Sequence, residues 1–205
     1  MNEFDDKARS WDEDPAKVER ARKVADAILA QAGPLAGLSA LEYGCGTGLL
    51  GFALGPSLGR VTLADSSPGM LAVLKEKIAA SGAANLVPLH LDLTAGPAPE
   101  ARYDLVFTLM TLHHIPDTDA ILEQFHGLLN PGGHLCLSDL DQEDGSFHGA
   151  GVDVHKGFDR VDLAARLARA GFGDIRFSTP FEIQRRSETG ALERFPAFLA
   201  VAVRI

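Results

Sequence analysis

Short apolar runs alternate with longer segments in which apolar residues recur every three or four positions, almost from one end of the chain to the other. The first helical segment opens at Asp14-Pro15, an N-cap followed by proline at the first helical position, where its missing N–H does no harm. Val18, Ala21, Ala25, Ile28 and Leu29 then recur at helical spacing to about Ala32, and Gly33-Pro34 ends it. Leu38 to Tyr43 reads as a first strand, and a glycine loop leads from it into a short helix from about Thr47 to Leu54. Arg60 to Ala64 is a second strand, stopping at Asp65. Ser67-Pro68 caps a helix carrying Met70, Leu71, Leu74 and Ile78, closed by Gly82. Leu86 to Leu91 is a third strand, ending at Asp92. After a turn with Gly96, Pro97 and Pro99, Tyr103 to Leu109 is a fourth, apolar enough to be buried on both faces.

Asp117 opens a helix with Ile121, Leu122, Phe125 and Leu128 on one side. Asn130-Pro131-Gly132-Gly133 predicts a turn before a fifth strand at His134 to Ser138. Residues 139–157 are polar, carry four glycines and show no period, so they read as a loop. A helix from Asp159 to Ala170 ends at Gly171, and Asp174 to Ile183 and Ala197 to Val203 close the chain as strands. The alternation predicts one parallel sheet covered by helices. A length of 205 residues suits a single domain. Within it, residues 1–32 form an N-terminal arm and helix, and residues 38–205 form the core.

Composition narrows the function classes. Apolar residues make up 46% and charged residues 23%, as in ordinary soluble proteins. A net charge of -9 argues against a nucleic-acid partner, whose binding rests on basic surface. No stretch approaches the roughly 20 apolar residues that would span a bilayer. The acidic start MNEFDDKARSWDEDP does not read as a signal peptide. Cys45 and Cys136 do not make a disulfide framework and suit a reducing cytoplasm. The expectation is a cytoplasmic protein.

LEYGCGTGLLG, residues 41–51, supports two frames. Gly44, Gly46 and Gly48 make a GxGxG loop, whereas Gly46, Gly48 and Gly51 make GxGxxG, the form of a dinucleotide-binding turn. Ligands of such sheets bind at the carboxyl ends of the strands, where Asp65 and Asp92 also stand. An acid after strand two suits a ribose diol in either frame. Glu42, at the end of strand one, disfavours a pyrophosphate and suits a ligand bearing an ammonium. No arginine or lysine lies between Glu42 and Gly59 to hold a phosphate. Asp92 is placed to accept from an adenine amino group or to orient its neighbouring backbone. The ligand these features select is an adenosine without phosphates that carries positive charge.

LEYGCGTG, the VTLAD strand end, LHLDL, and YDLVFTLMTLHHI followed by LNPGGHLCLSD resemble, in order and spacing, the motifs of the class I S-adenosylmethionine-dependent methyltransferases. The resemblance covers roughly residues 38–203. It implies a Rossmann-like three-layer αβα sandwich, with a seven-stranded, mostly parallel sheet in the order 3-2-1-4-5-7-6 and an antiparallel last strand. It implies S-adenosyl-L-methionine as cofactor, S-adenosyl-L-homocysteine as product and a small-molecule acceptor. Gly44, Gly46 and Gly48 would form the turn under the methionine moiety, Asp65 would take the ribose hydroxyls, Asp92 the adenine edge, and the Leu109 backbone the amino group. Glu42 stands where the family has an acid, and Cys45, Ser66, Met70 and Leu93 adjoin these positions.

Methyl transfer is a direct displacement that needs nucleophile, carbon and sulfur in line, and a base only where the acceptor arrives protonated. His113 and His114, just past strand four, are the candidate catalytic residues. His148 and His155, past strand five, are candidate substrate contacts with Trp11. Either member of the first pair also suits a backbone hydrogen bond at the turn. His148, Asp153 and His155 lack evident third and fourth metal ligands, so no metal is expected. Cys45 suits packing in the glycine turn, and Cys136 the core. Phe4 and Trp11 in the acidic arm suit a closing lid or a tail pinned by two anchors. An NAD(P)-dependent oxidoreductase using the second frame, and a non-catalytic adenosyl-binding protein, are the alternatives.

Overall fold

Alternation along a strand sends neighbouring side chains to opposite faces of a sheet, and here it sorts the apolar residues into two cores. The computed structural model describes residues 3–149, 151–186 and 190–205. Its strands are β1 (Ser39–Tyr43), β2 (Arg60–Asp65), β3 (Leu86–His90), β4 (Tyr103–Leu109), β5 (Leu129–Leu140), β6 (Phe172–Arg186) and β7 (Leu192–Arg204). They form one seven-stranded sheet in the order β3-β2-β1-β4-β5-β7-β6. Strands β1 to β5 run parallel, and β7 is antiparallel to both β5 and β6. Order and polarity are those expected from the sequence.

Helices cover both faces: α1 (Glu3–Lys7), α2 (Pro15–Gln31), α3 (Leu49–Leu54), α4 (Pro68–Ser81), α5 (Thr118–Leu128) and α6 (Arg160–Arg169). Ala40, Leu63, Leu105 and Phe107 pack with Ile28 of α2, Leu50 of α3 and Leu74 of α4 on one face. Their neighbours Leu41, Ala64 and Val106 pack with Leu122 and Phe125 of α5 on the other, where Leu163 of α6 joins them. The caps are local. Asp14 accepts from Ala16 N at 2.9 Å, Ser67 from Met70 N at 3.1 Å and Asp117 from Ala120 N at 2.9 Å. Gly82, at φ 68°, closes α4 in the left-handed conformation.

Two expectations are corrected. Asn130 to Gly133 does not separate α5 from the fifth strand, because β5 already begins at Leu129, paired with Tyr103. The next pair is Leu105 with His134, so the Pro-Gly-Gly segment is a bulge absorbed within the strand. The last two strands are also longer than their apolar cores, at 15 and 13 residues. Each continues through polar residues that alternate towards solvent. Residues 3–13 carry structure too: α1 is followed by a 3-10 turn over Ala8–Glu13. Among the described residues, no helix is long and apolar enough to cross a membrane.

Candidate active site

Each parallel strand ends at the same edge of the sheet, so the loops after β1 to β5 meet around the point where the strand order reverses. In the first of them Gly44, Gly46 and Gly48 adopt φ of 70°, 53° and 83°, a region closed to most side chains. The three glycines differ in surroundings. A Cβ on Gly44 would lie 2.3 Å from Thr111 Cγ2, and one on Gly48 2.6 Å from Leu74 Cδ1. A Cβ on Gly46 would meet nothing nearer than Met70 Sδ at 3.8 Å and Trp11 Nε1 at 3.9 Å. At Gly46 a Cβ would make only ordinary contacts with Met70 and Trp11, so its positive φ rather than crowding selects glycine, while its neighbours fit tightly against β4 and α4. Gly51 lies inside α3, where a Cβ would press on Leu63 Cδ2 at 2.3 Å and Glu42 Oε2 at 2.6 Å. The turn is thus made by the first glycine frame, and Gly51 serves close packing of helix on strand.

Three carboxyl groups surround this turn in different states. Glu42 is 2% exposed, and its Oε2 has no hydrogen-bond partner among the described residues. Burial pushes its pKa well above the ordinary value, and the Asp65 charge adds to this. Asp65, also raised by burial, accepts from Gly46 N at 2.7 Å and Ser67 N at 2.8 Å. Asp92 is half-buried and lowered, first by the Thr94 hydroxyl, which donates to it at 2.6 Å. Leu93 beside it is buried, and its N–H donates to the Tyr43 hydroxyl at 3.1 Å. Cys45 is buried, donates its N–H to Ala64 O at 3.0 Å, and has a thiol pushed well up by burial. Ser66 accepts through its carbonyl from His90 Nε2 at 3.1 Å if that nitrogen carries the proton.

At the end of β4, Met110 takes φ 54°, a costly conformation for a residue with a side chain. Its N–H is held by Ser138 O at 2.8 Å. Thr111 Oγ1 lies 3.2 Å from Leu109 O and 3.4 Å from Gly44 O, so its hydroxyl links the two loops. His113 follows, 2% exposed, with Nδ1 at 2.7 Å from Asp139 Oδ1. Its ring centroid is 4.1 Å from that of His114 and 4.9 Å from that of His148. Burial holds His148 below the ordinary histidine range, and the nearby His113 adds to this. His155 is turned another way. Its Nε2 lies 3.0 Å from Ile115 O, 3.2 Å from Pro116 O and 3.3 Å from Thr118 Oγ1, which pins the turn before α5. His113, His114 and His155 nevertheless line one cavity of about 210 Å³ with Pro116, Asp153 and Val154.

The arm covers the glycine turn. Asp5 Oδ1 accepts from Ser67 Oγ at 2.6 Å and Gly69 N at 2.9 Å, at the start of α4. Thr47 Oγ1 donates to Asp12 at 2.5 Å, and Lys77 Nζ reaches both Asp12 at 2.6 Å and Thr47 O at 2.8 Å. Trp11 lies under the Lys17 ammonium, 3.6 Å from the ring centroid, and Phe4 packs edge-on against His114 at 5.3 Å. Trp11 therefore lies against the glycine turn at Gly46, while Phe4 reaches the histidines.

Asp139, Thr111 and Lys77 have no role in the sequence reading, and Asp12 figures there only as one of the arm's acids. Asp139 lies one residue before the end of β5, so the strand-end rule applied one strand further flags it. The contacts of Thr111, Asp12 and Lys77 are ones that no local pattern encodes. Among the described residues, no group of three or more His, Cys, Asp or Glu could hold a metal ion. The glycine turn, the unpartnered Glu42 oxygen and the Asp65 carboxyl fit an adenosine ligand carrying positive charge. The one lysine touching the turn, Lys77, is already paired with Asp12.

A family model described as a methyltransferase domain matches residues 41–135. An uncharacterized methyltransferase of Mycobacterium tuberculosis is 35% identical over 112 residues, 55% of this chain and 55% of the relative. A ubiquinone biosynthesis O-methyltransferase of Xylella fastidiosa is 32% identical over 155 residues, 67% of this chain and 62% of that protein. The chain spans little more than half the length of the first of these. Among solved structures, the DhpI–SAH complex superposes with a TM-score of 0.73 at 23% identity, covering 98% of this chain and 92% of that one.

Proposed function

Because the chain belongs to the class I S-adenosylmethionine-dependent methyltransferase family, we propose that it binds S-adenosyl-L-methionine at the carboxyl ends of β1 to β4 and methylates a small-molecule acceptor. The observation that carries this reading is the glycine turn after β1, left-handed at Gly44, Gly46 and Gly48, with the buried, half-partnered Glu42 beneath it and Asp65 accepting from Gly46 N. When bound, the cofactor supplies an electrophilic methyl carbon on a positively charged sulfur. Gly44, Gly46 and Gly48 would let the backbone approach its methionine part, with Cys45 fixing the turn to β2 through Ala64. Asp65 would accept from the ribose hydroxyls, its carboxyl already oriented by Gly46 and Ser67. Ser66 and Met70 would flank it, Asp92 and Leu93 would meet the adenine edge, and the Leu109 carbonyl would take the amino group. Burial holds the Glu42 pKa well above the ordinary value, and a cation nearby would favour its ionised form.

The acceptor would occupy the histidine end, against His113 and His114, with His148 beside them and His155 holding the turn that carries them. The name of the Xylella relative, an O-methyltransferase of ubiquinone biosynthesis, supports a small acceptor. The SAH in the DhpI complex supports the cofactor. Isothermal titration with S-adenosylmethionine and S-adenosylhomocysteine tests the reading. Binding of both is expected. In Asp65→Ala, loss of charge-assisted hydrogen bonds worth about 1.5–3 kcal/mol each should weaken both by well over tenfold. No heat and no thermal shift with either ligand would end it.

A further inference from the structure

We infer that the acceptor is a phenol or enol, a weakly acidic hydroxyl on a flat system, and that His113 removes its proton while Asp139 positions His113; this rests on the methyl-transfer reading above.

Asp139 is 1% exposed and accepts three hydrogen bonds: from His113 Nδ1 at 2.7 Å, His113 N at 3.2 Å and Leu140 N at 2.8 Å. A carboxylate only accepts, so Nδ1 carries the proton of a neutral His113 and Nε2 is left with a lone pair. His113 also lines the cavity of about 210 Å³ beside β4. A purely structural tie between this turn and β5 is already made by the His113 backbone N–H. The ring bond adds something the tie does not need: it fixes which nitrogen can act as a base.

Rings line part of the cavity: His113, His114 and His155 face it, the first two 4.1 Å apart between centroids. Behind them His148 packs on His113 at 4.9 Å and Phe4 on His114 at 5.3 Å. Such walls suit a flat acceptor. The charges around the base come from several elements. On α2, Arg20 lies within electrostatic reach of Asp139; around His148 lie Glu143 and Arg185. Asp153 at the cavity wall and Glu143 offset these guanidiniums, so charge alone does not select the acceptor. Burial lowers the His148 pKa, and the nearby His113 adds to this.

Proton affinities select the hydroxyl. A neutral imidazole can take a proton from a hydroxyl as acidic as a phenol's while the oxygen bonds to carbon, because the hydroxyl grows more acidic along that path. An aliphatic hydroxyl, closer to water at about 15.7, is too weak an acid for this base. In the step, the acceptor O–H bond breaks towards His113 Nε2 while the oxygen forms its bond to the methyl carbon. The S–CH3 bond breaks and its electron pair stays on sulfur as a neutral thioether. The imidazolium then returns its proton to water.

The test uses the full chain with a panel of acceptors: a hydroquinone, para-nitrophenol (largely ionised at a mildly alkaline assay pH), a primary amine and a thiol. Cofactor titration comes first, because failure there defeats the methyl-transfer reading itself. With cofactor bound, hydroquinone should turn over. His113→Ala should lower its kcat by about 10²–10⁴-fold, and Asp139→Asn by roughly tenfold or more with KM little changed. Both losses should shrink for ionised para-nitrophenol, whereas a structural role would lower the two acceptors alike. A readout without turnover completes it: with S-adenosylhomocysteine bound, the phenolate absorption band should appear at higher pH in the wild type than in either variant, because an imidazole lone pair accepting from the hydroxyl favours the neutral phenol. Turnover of amine or thiol alone, no turnover of any acceptor, equal losses for both phenols, or an unmoved phenolate band would each overturn the inference.

Discussion

Glu42 shows how one residue can be set against the fold for the sake of a ligand. A carboxyl that is 2% exposed, with one oxygen lacking a partner, gives up hydration that the Gly51 backbone only partly replaces. Its folded pKa lies well above the ordinary 4.5, chiefly through burial. The sign follows directly. Below about 4.5 both folded and unfolded chains hold the proton, so nothing is lost. As pH rises towards the raised folded value, the unfolded chain releases its proton and the folded one cannot, and stability falls. In Glu42→Gln this loss is absent. The melting temperature of the ligand-free variant should exceed the wild type by a margin that grows from pH 5 to pH 8, at about 2–4 °C for each ~1 kcal/mol removed. S-adenosylmethionine affinity should fall in the same variant. Parallel melting curves for the two proteins across that pH range would show that Glu42 carries no such penalty.

At the scale of elements, the arm is the segment whose structure departs most from its pattern. The sequence offered a closing lid or an anchored tail; residues 3–13 are helical and seated on α4 and the glycine turn, a placement compatible with either. The ties differ in strength. Asp5 caps α4, a contact typically worth ~1 kcal/mol. The Asp12–Lys77 pair is about a third exposed, and such pairs contribute about 0–1 kcal/mol. That weak tie holds the part of the arm nearest Gly46. Asp12→Ala should therefore lower the melting temperature by less than about 4 °C, while cofactor association becomes several-fold faster. Trp11, the single tryptophan, reports this by stopped-flow fluorescence. Unchanged association kinetics would mean that the arm does not gate the turn. What the pattern did reveal has a physical basis: β1 to β4 and their caps are local signals, and Asp14, Ser67 and Asp117 all cap as their positions imply. The bulge at Asn130 to Gly133 and the full length of β6 and β7 depend on pairing with distant strands, which no local period records. In the site, strand-end acids were legible, whereas the link from His113 to Asp139 spans 26 residues and arises only from the sheet order.

On the scale of the whole molecule, charge should discriminate cofactor from product. The chain carries a net charge of -9, and the proposed cofactor bears one more positive charge than the thioether it becomes. Two sources of preference overlap: the summed field of the acidic surface and the local acids Glu42 and Asp65. Salt separates them. Fields from exposed charges fade over about 30 Å at 0.01 M salt but over about 3 Å at 1 M, whereas buried groups are screened much less. Titrations across that range should show S-adenosylmethionine weakening several-fold while S-adenosylhomocysteine changes little. The preference that survives at 1 M then belongs to Glu42 and Asp65, and it should shrink in Glu42→Gln, which leaves the outer surface untouched. Equal salt slopes for the two ligands would show that the acidic surface does not act on the sulfonium. Full survival of the high-salt preference in Glu42→Gln would move the local discrimination to Asp65 or to the carbonyl of Leu109.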